Sequence, residues 1–211
     1  EKSYKVRSLE GNEDLTEVLQ IQNDISGKEE DMSYIASLTF GADIYITFSG
    51  SIRNDMVTVE LSAYETTTAR LLGSKTGMVK DHGTDKSNQR YLIQTAVKKA
   101  LPALEKTIHA YWQEDSKKGI PYKVIINLGE RFSGEILEDI QDQCLTSIRA
   151  NFSNFKINQI TEKTIDLVLY AKATEFPDVY AVYSAIKASL SDKGLVQKNN
   201  ITNKLIIMEL N

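Results

Sequence analysis

The pattern of apolar and polar positions between Gly41 and Gly77 predicts a three-stranded antiparallel meander, with a nearly unbroken β-rich run first and a clean alternation after it. In Met56–Tyr64, Val57, Val59, Leu61 and Ala63 fall on one face, and Thr58, Glu60, Ser62 and Tyr64 on the other. That period of two marks a half-buried strand. The β-rich run Ile44 to Phe48 makes Asp43–Ser49 the preceding strand, and Ala69–Val79 is the following one. Arg53-Asn54-Asp55 is the tight connection, since Asn and Asp tolerate the left-handed backbone of a hairpin turn. Helical spacing flanks the meander. Asn12 or Asp14 caps a helix to about Ile25, with Leu15, Val18, Leu19, Gln22 and Ile25 on one side. A second helix starts near Glu29–Asp31, buries Met32, Ile35, Ala36 and Leu38, and ends at Gly41 as its C-cap. Residues 1–10 read as a short strand or an arm. After a loop over 80–86, Ser87 caps the longest helix, reaching about Gln113. Its expected buried face is Tyr91, Ile93, Ala96, Val97, Ala100, Leu101, Leu104, Ile108 and Tyr111, with a kink or break at Pro102.

The polar segment Glu114–Pro121, punctuated by Gly119 and Pro121, reads as a domain boundary. Beyond it come a strand over Tyr122–Leu128, a helix over Gly134–Arg149, and a hairpin of Lys156–Thr161 with Thr164–Ala173. Pro177 opens a helix facing inward with Val179, Val182, Tyr183, Ile186 and Leu190, and Gly194 ends it. Leu195–Lys198 and Lys204–Leu210 close the chain as a pair around Asn199-Asn200. The order β-α-β-β-α-β is ferredoxin-like. The expectation is an α+β chain of two domains, 1–115 and 120–211.

Composition narrows the classes. With 211 residues, 41% hydrophobic and 26% charged, the chain is globular and long enough for two domains. A net charge of -4 lacks the electrostatic footprint of a nucleic-acid binder. The longest apolar runs are strand-sized, far from the roughly 20 residues that span a bilayer. Cys144 alone permits neither an internal disulfide nor a cysteine-built metal site. Glu1, not Met, heads the sequence, so we expect a processed chain with any signal peptide or lipid-anchor cysteine upstream.

Catalytic motifs fail on context. Lys75-Thr76-Gly77 matches the K-T-G of serine β-lactamases, and Ser153–Lys156 and Ser184–Lys187 fit S-x-x-K. The order is wrong, however, and no S-D-N exists. Gly129-Glu-Arg-Phe-Ser-Gly134 sits between strand and helix like a phosphate loop, but Glu135 stands where the Walker pattern needs Lys. His82 beside Asp81 and Asp85, with His109 on the long helix, falls short of a zinc set. The carboxylate pairs Glu138-Asp139 and Glu114-Asp115 suit a solvated helix surface, and Tyr170 alone does not make an RNA-stacking strand. No catalytic, cofactor or metal residue is therefore expected, and no cofactor. Arg131 and Phe132 at the loop tip remain as contact residues. So do Leu205 and Ile207, because a last strand at the sheet edge, apolar and guarded only by Lys204 and Glu209, invites strand addition.

Gly41-Ala42-Asp43, the strand Ile44–Ser49, Gly50-Ser51-Ile52 and the alternating Val57–Ala63 together resemble the α/β domain shared by the TolB N-terminal domain, CsgG and LpoB. There a helix ends in a small-residue turn before Asp, and the strand finishes in Gly-x-[IV]. The resemblance covers about residues 30–112. The chain departs from it at Glu65-Thr66-Thr67-Thr68-Ala69, which lacks the usual Thr-Gly. It implies a bacterial periplasmic or outer-membrane-associated protein, often a lipoprotein, acting by protein–protein contact. The families share no catalytic residues, so none carry over. The resulting expectation is a non-enzymatic envelope protein that binds a protein partner or itself, binds no nucleic acid, and meets the membrane only through a lipid anchor outside this chain. The alternative is a hydrolase or transferase using acids buried in an inter-domain cleft.

Overall fold

The computed structural model describes residues 36–38, 40–80, 89–115 and 117–211. The helix expected to about Ile25, the arm at 1–10, the loop at 81–86 and the Ser87 cap lie outside these. So does the second helix, except for a buried helical turn at Ala36–Leu38. Gly41, at φ +62, donates its N–H to the Leu38 carbonyl, as a C-cap glycine does. The protein is α+β with two separate sheets. Its contacts divide it into two compact units: Ile44–Lys118, and Gly119–Asn211 together with the described residues up to Asp43.

The first unit is the meander β1 (Ile44–Arg53), β2 (Met56–Glu65) and β3 (Arg70–Lys80), followed by helix α1 (Gln89–Asp115). Asn54 and Asp55, at φ 49 and 58, form the two-residue turn between β1 and β2. The inward residues Val57, Val59, Leu61 and Ala63 meet Leu92, Ala96, Ala100, Leu104 and Ile108 of α1. This is a narrower stripe than the sequence suggested: Leu92 is buried, whereas Tyr91 and Ile93 are exposed. A helix lying on two strands needs only positions four apart. Nor does α1 break at Pro102, which lies on the exposed side, as does Lys98, whose carbonyl loses the bond. Water can take that acceptor.

The second unit runs β4 (Ile120–Leu128), α2 (Glu135–Asn151), β5 (Phe155–Ile160), β6 (Thr164–Ala171), α3 (Val179–Leu190), β7 (Val196–Ile201) and β8 (Leu205–Leu210). Sheet order is β5-β6-β4-β8-β7. Helices α2 and α3 cover one face, where Val124, Ile126, Leu167, Leu169, Ile206 and Met208 join Ile140, Cys144, Ile148, Val182 and Ile186 in one core. Asp178 caps α3 by accepting the Ala181 N–H, so the helix opens at Val179 and Pro177 precedes it instead of being its first residue. Asn199 and Asn200 sit inside β7, and the final turn falls at Thr202–Lys204.

The closing strand corrects an expectation. β8 pairs parallel with β4 and antiparallel with β7, so it lies inside the sheet rather than at its edge. Leu205, Ile206, Ile207 and Met208 are all fully buried. Successive residues face opposite sides, so both faces of β8 are covered; the second face buries Ile125, Val168, Leu205 and Ile207.

Candidate functional site

Uncovered apolar side chains line up in a row on one face of β1. Its register sets Ile46 opposite Ala63, Phe48 opposite Leu61, Gly50 opposite Val59 and Ile52 opposite Val57. These β1 residues therefore share the helix side of the sheet with the core residues of β2. On β3 the same face carries Gly73, Lys75, Gly77 and Val79. A Cβ on Gly77 would stand 1.9 Å from the Ala96 carbonyl oxygen, and one on Gly73 would stand 2.9 Å from the Thr107 Cγ2. α1 thus lies directly on the glycine backbone of β3, a close approach that only a missing side chain permits. Seated there and on β2, it leaves Ile46 at 46%, Phe48 at 72% and Ile52 at 48% exposure. On the opposite face Tyr45 stacks on Tyr64 at 5.0 Å and Ser74 donates to Glu60 at 2.6 Å, while Leu71 and Met78 of β3 are exposed there singly.

β1 is also an edge, paired only with β2 among the described strands. From Ile44 to Ile52 it has no charge and no proline, whereas the other edges carry Arg70, Lys75 and Lys80 on β3, Lys156 on β5 and Lys198 on β7. Edge strands are ordinarily protected by such charges. This one is not.

The residues expected to make contacts lie elsewhere and do not converge with it. Leu205 and Ile207 are in the buried strand β8, and Phe132 is buried in the second core. Arg131 is exposed, but its guanidinium lies 4.4 Å over the Phe132 ring and donates to the Lys193 carbonyl at 2.7 Å. Lys163 closes the same loop through the Phe132 carbonyl at 2.8 Å. The loop 129–134 is therefore tied down by its own Arg131 and by Lys163 rather than shaped as a phosphate cradle. Sequence reasoning missed Ile46, Phe48 and Ile52. The signal that could have found them is Gly73 and Gly77, four apart on the inward face of β3.

Polar candidates take structural places. Gly77 of the Lys75-Thr76-Gly77 motif is the helix contact described above. Ser153, Lys156 and Ser184 are exposed, and a shallow cleft of about 480 Å³ beside Ser153 is lined by Arg149, Phe152, Asn154, Phe155 and Ile157. His109 packs edge-on to Trp112 at 5.8 Å. His82, Asp81 and Asp85 lie outside the described residues. Glu138, Asp139 and Glu114 are exposed. Two buried carboxylates stand out. Glu65 accepts from the Thr67 and Thr68 hydroxyls, with the Thr66 hydroxyl buried beside it without a partner. Asp166 meets the buried Lys123 ammonium at 3.1 Å and accepts from Asn158 at 3.2 Å. Burial pushes the Tyr122 phenol upward, with the Asp178 carboxylate adding to it.

Among the described residues no three metal-ligating side chains gather, and no helix is long and apolar enough to cross a membrane. No family model matches the chain, and no curated protein or solved structure shows significant similarity to it.

Proposed function

We propose that this chain is a non-enzymatic protein-binding protein of the bacterial cell envelope, in the periplasm or on the periplasmic face of the outer membrane. Its contact surface is the helix side and open edge of β1. The observation that carries the reading is Phe48, 72% exposed between Ile46 and Ile52 in the uncharged stretch Ile44–Ile52 of an edge strand. An apolar row on an unprotected edge is what strand-addition partners recognise: backbone groups supply affinity, and alternate side chains supply specificity. The envelope assignment is supported by the resemblance of residues 30–112 to the TolB, CsgG and LpoB domains. The closure of the loop at Arg131 and the packing role of Gly77 support binding over catalysis.

The test is a photo-crosslinking amino acid placed in living cells at Phe48, and separately at Met78, an exposed apolar position on the outer face of β3. Strong protein adducts from position 48 and background from position 78 are expected. Equal background at both would remove β1 as the contact surface.

A further inference from the structure

On the helix side of β1, Phe48 stands midway between Ile44 and Ile52, and Ile46 mirrors the bare Gly50. We propose that β1 pairs antiparallel with β1 of a second copy of this chain, centred on Phe48, to make one six-stranded sheet; the inference rests on β1 being the contact surface.

Centred there, Phe48 meets Phe48, Ile46 meets Gly50 and Ile44 meets Ile52, each with its two-fold mate. All of these lie on the helix side of the sheet. The two exposed rows thus merge into one apolar strip, and each phenyl ring finds an aromatic neighbour. Gly50 has room: a Cβ there meets only the Thr58 carbonyl oxygen at 3.5 Å and a Val59 methyl at 3.9 Å, so it accepts the Ile46 side chain of the mate above it. The same register brings Arg53 of each copy level with Asp43 of the other. Asp43 is exposed and also holds Lys204 at 2.8 Å.

Alternative registers are worse. A slip of one residue turns one row to the opposite face. A slip of two sets Arg53 against Tyr45 in one sense and against Gly41 in the other, losing the charge match at both ends. The interface is isologous and closes on itself, so it stops at two copies.

The experiment uses the full chain. Sedimentation from about 1 μM to about 1 mM, the window in which a moderate Kd is read, should show a species of twice the 23.7 kDa chain mass. Phe48→Asp should weaken it at least about 30-fold, the effect of losing a central anchor, while Met78→Ser should leave it unchanged. The register is read by mixing Ile46→Cys protein with Gly50→Cys protein under mild oxidation; Cys144 is fully buried and does not interfere. The mixture should form a disulfide dimer much faster than either variant alone.

A chain that stays monomeric throughout the range overturns the proposal, as does a dimer that survives Phe48→Asp. Fast self-linking of Ile46→Cys alone overturns the register. Should photo-adducts at Phe48 form with a different protein while the purified chain stays monomeric, the second copy is wrong and the contact surface stands. Absence of any adduct at Phe48 removes both.

Discussion

β1 and β8 look alike on paper. Each is a short apolar segment with little charge, and they end in opposite environments. β8 lies between β4 and β7 and is buried on both faces; among the described strands β1 has a neighbour on one side only, and half its apolar face is open. The difference is visible in how the apolar residues are spaced. Leu205-Ile206-Ile207-Met208 is an unbroken run, the signature of a strand covered above and below. In β1, Ile44, Ile46, Phe48 and Ile52 occupy one face, with Thr47, Ser49 and Ser51 on the other. An unbroken apolar run therefore argues against an edge. The row that invites a partner is the alternating one, left uncovered by its own helix.

The sharpest way to break the contrast is on the covered sheet. Lys123→Met would leave Asp166 buried and unpaired, with an expected loss of about 3–5 kcal/mol in chemical denaturation. Adding Asp166→Leu should recover most of it, since an apolar pair of similar size suits the interior as well. If the single substitution cost nothing, the pair would not be buried as described. Next comes a matched pair of truncations. Ile207→Ala should lose about 3 kcal/mol and Phe48→Ala less than about 0.5 kcal/mol, measured on the monomer by urea titration. Equal losses would erase the distinction between the strands.

Glycines give a third comparison. Gly77→Ala must push α1 away from β3 and should cost about 1–3 kcal/mol, whereas Gly50→Ala should change stability by less than about 0.5 kcal/mol. The smallest effect under ordinary conditions is at Cys144. Burial raises its thiol from the usual 9.0 to about 11. A raised value in the folded state means that the protonated thiol favours folding below pH 9.0, and that this contribution fades as pH rises through about 11. Stability near pH 7 should thus be flat with respect to this group. Alkylation of Cys144 should wait on opening of the α2 layer, while a cysteine at Ile46 should react like a free thiol.

Much of the fold was legible. Val57 to Ala63 announced its strand by strict alternation, Asn54-Asp55 marked its turn, and the order of elements after Gly119 could be read off apolar spacing. What failed did so for identifiable reasons. Asn199-Asn200 looked like a turn because both residues favour one, yet β7 continues through them with a register shift between Lys198 and Asn200. Tyr91 and Ile93 looked buried because they are apolar, but a helix on two strands covers a single row through Leu92. The site itself was hidden. Whether Phe48 is exposed depends on where α1 sits, and that is decided by Gly73 and Gly77 on a different strand. Local pattern carries no direct record of such a placement.

The order of the first unit along the chain has a consequence for synthesis. All three strands leave the ribosome before the helix that covers them. At roughly 5–20 residues per second, the stretch from Lys80 to Asp115 keeps Val57, Val59 and Leu61 uncovered for some seconds after the meander has been made. The nascent chain meets a chaperone with that whole face open, and Ile46, Phe48 and Ile52 stay open after α1 has docked. A cell making this protein faster than its chaperones can attend to it should accumulate aggregates nucleated at the meander, and slower translation between Lys80 and Asp115 should worsen that yield.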